Sequence, residues 1–404
     1  MSVHQRKRAI VVGAGPAGLA AAEVLAGAGV SVVIHERMPN PARKFLLAGR
    51  GGLNLTHSEP LEAFLTRYGA ARDQLEPAIR AFPPEALRAW CEDLGIPTFV
   101  GSSGRVFPRS MKASPLLRAW LARLGSLGVE LVPRSRWTGW DGDNLVFETP
   151  TGRHTEKADV AVFALGGGSW PRLGSDGAWQ DAFAGRGAEI VPLRPSNSGF
   201  LANWSDIFKS KFAGEPLKRV LLSFEGREAR GEAMVTRSGI EGGAIYALSP
   251  ALRDAIETKG SAVLQVDLLP DVTQEALIAR LSANPKDSLS NRLRKAGLSS
   301  VAASLLREDV FGAALPTNPA ALAERIKTLE IRLAGAAAMD RAISTAGGIS
   351  WASLGPDFSL KADPATFVCG EMLDWEAPTG GYLLQACFAT GRAAAKGALS
   401  RLRA

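Results

Sequence analysis

The chain has 404 residues, 46% hydrophobic and 22% charged, with Lys+Arg 47 against Asp+Glu 40 for a formal net charge of +7. That length suits two or three domains and a large core that needs neither disulfides nor metals. The composition excludes a mostly disordered or collagen-like chain. Cys91, Cys369 and Cys387 are odd in number and widely spaced, which excludes a disulfide framework and a C-x-x-C redox pair. Four isolated histidines, His4, His35, His57 and His154, exclude a histidine metal cluster. No metal is expected, and the cytoplasm is the expected compartment.

The N-terminus invites a wrong reading. Arg6, Lys7 and Arg8 precede a mostly apolar stretch from Ala9 to Ile34, like a signal peptide or a spanning helix. The stretch carries Glu23 and glycines at 13, 15, 18, 27 and 29, and its period changes along its length. It reads as strand, turn, helix, strand. No other segment reaches the ~18 uncharged apolar residues of a spanning helix, so no membrane partner is expected.

In chain order, residues 1–36 read as βαβ and 37–58 as a long Gly- and Arg-rich loop. Residues 59–95 are helical, 97–109 a loop with two glycines, and 112–127 a helix. Strands follow over 131–147, broken at Gly139 and at the turn Asp141-Gly142-Asp143-Asn144, and over 159–165 up to Gly166-Gly167-Gly168. After about 192 the character changes. Residues 195–268 carry short strand-like runs (219–224, 262–268), and 272–333 read as helical. The α/β character returns with strands 345–349 and 366–369 and a final helix 382–399. One α/β domain is therefore split in two by an inserted β-rich and helical region.

Gly13-x-Gly15-x-x-Gly18 follows a strand and opens a helix, and Glu36 ends the next strand 18 residues after Gly18. This is the context a dinucleotide fingerprint requires. Gly13 permits the tight turn, Gly15 the approach of a pyrophosphate, and Gly18 close helix–strand packing. The helix N-terminus faces the phosphates. A carboxylate at Glu36 suits ribose hydroxyls and disfavours a 2′-phosphate, which points to FAD or NAD rather than NADP. The distant second half decides for FAD. A short strand ends in Gly370-Glu371, and Gly380-Gly381-Tyr382 opens the last helix, whose N-terminus suits negative charge on a reduced flavin. Ala164-Leu165-Gly166-Gly167 offers a third close backbone approach.

These segments, with ARKFLLAGRGGLNLTH (42–57), GRVFPRSMKAS (104–114), ALGGGSWPRLGSDG (164–177), TRSGIEGGAI (236–245), STAGGIS (344–350) and CGEMLD…TGGYLLQ (369–385), resemble the aminoacetone-oxidase-like flavoproteins. That family, also called the BaiN or YhiN type, lies within the glutathione-reductase-like FAD superfamily. The resemblance implies a Rossmann-like FAD-binding domain of the GR2 type (1–192 and 341–404). It is interrupted by a β-barrel-like domain (193–270 and 331–340) that carries a small helical domain (271–330). It adds cofactor contacts from Pro16, Ala17, Arg37, Lys44, Gly51, Gly52, Asn54, Trp137 and Leu383. The chain departs from the family pattern at Gly52 and Leu53, where members often have Arg and Cys, at Arg237 in place of His, and at Leu383 in place of Asn. Reactions ascribed to members include oxidation of an amino ketone, reduction of a steroid-type enone and reduction of a uridine in ribosomal RNA.

A flavin takes up a hydride without help from an amino acid, so the protein adds positioning and a proton donor. The candidates are Tyr382, His57 and Arg237. Arg237, in a Gly-rich turn of the insert, suits an anionic substrate. With no C-x-x-C and no second G-x-G-x-x-G, NADH or NADPH docks transiently on non-covalently bound FAD, or oxygen is the partner. Basic clusters at 6–8, 209–211, 218–219 and 292–295 raise a nucleic-acid alternative. The expected function is an FAD-dependent oxidoreductase acting on a small molecule or nucleobase. The alternatives are a ribosomal RNA uridine reductase and a flavin-binding, nucleic-acid-associated protein without turnover.

Overall fold

The computed structural model describes residues 7–308 and 315–404, so His4, Arg6 and residues 309–314 lie outside it. The chain divides into two compact units, Met1–Arg194 with Ser344–Ala404, and Pro195–Ile343.

The first unit is built on a six-stranded sheet. The strand Arg8–Val12 (β1) runs parallel to Ser31–Glu36 (β2) on one side and to Val160–Phe163 on the other. Glu130–Pro133 extends the sheet beyond β2, and Asp363–Val368 extends it beyond Val160–Phe163, both parallel; the short antiparallel Ser359–Leu360 closes that edge. β1 is buried from Ala9 to Val12 because the sheet is covered on both faces, by helices on one and by the strands Arg136–Asp141 and Asn144–Thr149 on the other, where Phe147 stacks on His35 and Trp137 packs on Phe163. The helix Pro16–Gly27 (α1) packs along the 22-residue final helix Tyr382–Arg403. Three smaller antiparallel groups surround this layer: Arg136–Asp141 with Asn144–Thr149 and Gly152–Glu156; Thr56–His57 with Arg105–Pro108 and Thr98–Val100; and Ile190–Ser196 with Ser344–Ile349.

The second unit is a closed six-stranded barrel. Its order is Phe200–Ala202, Gly239–Glu241, Arg227–Val235, Pro216–Phe224, Ala262–Asp267 and Leu329–Ala336, and the last pairs back with the first. Closure leaves no free sheet edge. The helix Gly243–Lys259 packs on the barrel strands. Four helices, Gln274–Ser282, Leu289–Ala296, Ser300–Glu308 and Pro319–Lys327, stand between the last two strands in sequence. Leu277, Leu293, Leu305 and Leu322 share one hydrophobic core with the barrel's Leu222, Val266 and Leu333.

Local differences from the sequence reading have physical causes. The stretch 37–58 holds the helix Arg43–Ala48 and a strand at Thr56–His57, and 97–109 holds two strands of a small sheet. Both fold by tertiary pairing rather than by local periodicity. The helix Gly243–Lys259 starts at a glycine pair and contains Pro250, signals that read as breakers. Among the described residues no helix is long and apolar enough to cross a membrane.

Candidate functional site

The carboxyl ends of four adjacent parallel strands converge on one cavity, the crevice where open α/β sheets bind ligands. β1 delivers Gly13-Ala14-Gly15, β2 delivers Glu36, Val160–Phe163 leads into Ala164-Leu165-Gly166, and Asp363–Val368 leads into Cys369-Gly370-Glu371. The three fingerprint glycines do different things. Gly13, at φ +102, donates its N–H to His35 O at 2.8 Å, and a Cβ there would meet Ala164 O at 2.4 Å. A Cβ at Gly18 would stand 1.9 Å from Gly13 O. A Cβ at Gly15 would meet nothing within 4 Å, so the chain is open to the cavity there. Pro16 fills the first turn of α1, which has no side-chain cap and no acidic residue, so its N-terminal N–H groups suit an anion.

Glu36 is buried, and its carboxylate accepts from Ala14 N–H at 2.9 Å and Met38 N–H at 2.8 Å. Burial pushes its pKa up, and the Met38 and Ala14 hydrogen bonds oppose that shift. Across the cavity Lys44 Nζ pairs with Glu371 at 2.7 Å and donates to Ser169 Oγ at 2.6 Å, while Thr345 N–H donates to Glu371 Oε1 at 3.0 Å. Arg37 pairs with Asp176 at 2.5 Å. Trp137 lines the cavity and packs edge-on against Trp140 and Phe163.

Of the residues expected to contact the cofactor, Gly13, Gly15, Pro16, Ala17, Glu36, Arg37, Lys44, Trp137, Ala164, Gly166, Gly370 and Glu371 line this cavity. Gly18, Gly51, Gly52, Asn54, Gly167, Gly381, Tyr382 and Leu383 do not. Gly18 packs the helix on the turn, and Gly167 packs on Thr345. The backbone of Gly381 rests on that of Thr56, which brings the last helix's N-terminus beside the 52–57 segment. Sequence reasoning missed Ser135, Arg136, Thr138, Ser175, Asp176, Trp179 and the two thiols of Cys369 and Cys387, all in the wall.

Buried polar atoms without partners test whether a flavin dinucleotide fits. They include Trp137 Nε1 in the cavity wall and Asn54 Oδ1, Thr56 Oγ1 and Gln385 Oε1 around the start of the last helix. Buried groups of this kind ordinarily have partners. With the open cradle at Gly15, the unpartnered Trp137 donor in the wall fits a flavin dinucleotide in this cavity, while Asn54, Thr56 and Gln385 lie outside its lining. The final helix has no acidic residue in its first turn, which suits negative charge on the ring.

The proton-donor candidates fare differently. His57 Nδ1 accepts from Glu59 N–H at 3.1 Å, and Nε2 lies 3.0 Å from Ser103 O. A carbonyl can only accept, so Nε2 donates, and main chain holds the ring at both nitrogens, which staples the strand Thr56–His57 to the turn at 103–104. The Tyr382 hydroxyl donates to Glu59 Oε1 at 2.5 Å, and Arg67 grips the same carboxylate at 3.1 and 2.7 Å. Burial, then Glu59, pushes the Tyr382 phenol far up. Its proton is therefore committed to Glu59, and the ring stacks on His57 with centroids 5.6 Å apart. Arg237 is exposed, in the turn closed by Thr236 N–H to Gly239 O at 2.8 Å in the second unit.

Basic clusters are largely used locally. Arg292 donates to Leu281 O and Thr317 O, Lys295 pairs with Asp287 at 2.6 Å, and Lys209 pairs with Asp206 at 2.9 Å.

Glu36→Gln is expected to keep the Ala14 and Met38 region folded and to weaken FAD binding by roughly 1–3 kcal/mol, the range for a lost charged hydrogen bond. Glu36→Ala should add a stability loss of similar size, since two buried N–H groups lose their acceptor. Titration of apoprotein with FAD, paired with thermal melts, measures both; unchanged FAD affinity in both variants would remove Glu36 from the ribose.

The profile of the HI0933-like protein Rossmann domain matches residues 7–397. The chain is similar to the 3-dehydro-bile acid delta(4,6)-reductase of Clostridium scindens, 24% identical over 97% of this chain and 98% of that protein. It is also similar to the ribosomal RNA dihydrouridine synthase of Haemophilus influenzae, 23% identical over 72% of each. Among solved structures, the 3-ketosteroid-delta4-(5alpha)-dehydrogenase of Rhodococcus jostii RHA1 aligns with a TM-score of 0.52, 16% identity and 98% of each chain covered. The 3-ketosteroid delta1-dehydrogenase of Sterolibacterium denitrificans aligns with a TM-score of 0.54 and 12% identity over 97% of this chain and 99% of that one. At such identities these structures establish the fold.

Proposed function

The chain belongs to the HI0933-like Rossmann-domain family of FAD-dependent oxidoreductases, and from that premise we propose that it reduces a carbon–carbon double bond conjugated with a carbonyl in a small molecule, with NADH or NADPH as the transient reductant. The observation that carries this reading is the cavity at the four strand ends, open at Gly15 and walled by Glu36, Trp137 and the Lys44–Glu371 pair. The reductase relatives support the substrate class.

FAD, bound non-covalently, supplies the hydride chemistry. In this reading the N-terminus of α1 holds the pyrophosphate, Glu36 accepts from the ribose, and Lys44 is kept in place by Glu371 and Ser169. The N-terminus of the last helix, held by the Tyr382–Glu59–Arg67 chain and by Tyr68, whose hydroxyl donates to Tyr382 O at 2.8 Å, would face the ring. The first unit carries the cofactor. Arg237 is the insert's substrate-orienting group, donating to the carbonyl oxygen on which charge develops. Arg237→Ala should leave the FAD content unchanged and lower kcat/KM by about 10²-fold once a substrate is in hand, the usual cost of losing one such donor. An unchanged kcat/KM removes that assignment.

A second reading, reduction of uridine in ribosomal RNA, is supported by the synthase relative and shares the same bond type. Anaerobic mixing with NADH and NADPH, followed by a 4-en-3-one steroid or a uridine-containing RNA, separates the two. Reoxidation by the steroid supports the first and by the RNA the second. Reoxidation by oxygen alone overturns both in favour of an oxidase.

A further inference from the structure

A second concavity, of about 110 Å³, lies between the helix Arg72–Ala81, the last helix and the turn at 356–358; it shares no lining residue with the cofactor cavity. Its wall is apolar, made by Ala78, Ala81, Phe82, Phe358, Ala389 and Ala393. Two cations, Arg392 and Lys396, one turn apart on the last helix, complete it.

Arg392 is half-buried, and its guanidinium stands 4.4 Å from the centroid of the Phe82 ring. Among the described residues no carboxylate or carbonyl oxygen is bonded to it. The negative charge it feels comes from Glu23. That carboxylate is already occupied by Trp90, Trp120 and Arg123. Burial pulls the Arg392 pKa down, against the pull of Glu23. Asp357, beside the lining residues Pro356 and Phe358, has its Oδ1 turned to the N–H and hydroxyl of Ser359 at 3.1 and 2.6 Å. The cavity thus presents a planar, five-donor cation with no acceptor on an apolar floor, and a second cation at the rim.

We propose that this cavity binds a small amphipathic monoanion, a carboxylate carried on a single ring or a short chain, with Arg392 as the carboxylate's bidentate partner. The chemistry follows from the parts. A guanidinium that is half-desolvated and stacked on an aromatic ring matches a carboxylate in both charge and shape. The apolar wall takes the hydrocarbon part. Size limits the ligand: at about 110 Å³ the cavity is smaller than the roughly 150 Å³ apolar cavity that accepts benzene, so it takes at most one ring, seated part-way with its carboxylate at the mouth, or a short chain. A polycyclic acid would enter only with its tail.

The test uses the full-length, FAD-loaded protein and sodium benzoate, with benzamide as the neutral isostere, followed by calorimetry and by ligand-observed NMR. Saturable benzoate binding at or below roughly 1 mM is expected, about tenfold or more tighter than benzamide, without change in the flavin absorption. Arg392→Gln should weaken benzoate at least about tenfold and leave benzamide unaffected. Ala393→Met, which fills the cavity without touching the charge, should abolish both and serves if the first variant fails to fold. Equal affinity for benzoate and benzamide, benzoate binding retained in Ala393→Met, or no saturation by about 10 mM overturns the proposal.

Discussion

Gly18→Ala should strip the protein of FAD and lower the melting temperature of the first unit by about 5–10 °C, whereas Gly15→Ala should strip the FAD and leave the apoprotein's melt nearly unchanged. Both changes add one methyl group to the same turn. At Gly18 that carbon would stand 1.9 Å from Gly13 O and 3.2 Å from Ala164 Cβ, so main chain must move. Overpacking of this kind costs about 1–3 kcal/mol and more where the obstacle is backbone, and in a unit of this size each kcal/mol lowers the melt by about 2–4 °C. The displaced turn no longer presents its N–H groups to a pyrophosphate. At Gly15 the backbone is extended, at φ −80 and ψ 179, a conformation alanine adopts freely, and the space around the added carbon is empty. That space is where the phosphates would lie, so the methyl group excludes the ligand and nothing else. Melts of apoprotein and the FAD-to-protein ratio after purification read both effects. Equal melts for the two variants would sink the division of labour among the glycines.

Glu23→Leu should destabilise the first unit by about 2–4 kcal/mol, the cost of leaving buried donors unpaired. The carboxylate sits on α1 and is nearly enclosed. It accepts from Trp120 Nε1 at 2.7 Å and from Trp90 Nε1 at 3.1 Å, and pairs with Arg123 at 3.3 Å. Trp90 comes from the helix Pro84–Asp93 and Trp120 from Ala113–Ser126, so one side chain ties three helices together. The two indoles meet edge-on at 4.8 Å, and both pack on Phe388 of the last helix. Leucine keeps the volume but leaves two indole N–H groups in an apolar setting, while Arg123 retains Asp93 at 2.7 Å. Glu23→Gln keeps one acceptor and should lose about half as much. Tryptophan fluorescence during urea unfolding follows the change, and a loss below about 0.5 kcal/mol for the leucine variant would show that the indoles find other partners.

The parts of the site carried by local signals were legible in the sequence. Strand, glycine turn, helix and Glu36 lie within one βαβ unit, and each glycine's function follows from its place in that turn. The return strand leading into Gly370-Glu371 was legible because Gly-acid after a short apolar run is a local pattern too. The opposite wall was not. Ser135, Arg136 and Thr138 come from the start of a short antiparallel strand, and Asp176 and Trp179 from an irregular stretch; no spacing marks them, since only tertiary pairing brings them to the cavity. Trp137 was named by resemblance rather than by period. The barrel was visible as β-rich composition, but its closure depends on pairing between Phe200–Ala202 and Leu329–Ala336, far apart in the chain. His57 and Tyr382 looked available for chemistry because a sequence does not show that Ser103, Glu59 and Arg67 already occupy them.

The order of strands in the central sheet also sets a schedule for synthesis. Val160–Phe163 pairs on one side with β1, which precedes it, and on the other with Asp363–Val368, which leaves the ribosome 200 residues after Phe163. At about 5–20 residues per second this strand waits roughly 10–40 s with one edge bare. An unpaired apolar edge is a template for joining another chain. During that interval the barrel is translated, and it closes on itself with no edge to offer. The interruption therefore delays completion of the nucleotide cavity until the segment from Asp363 to Glu371 emerges, so the two halves of one sheet are made at different times.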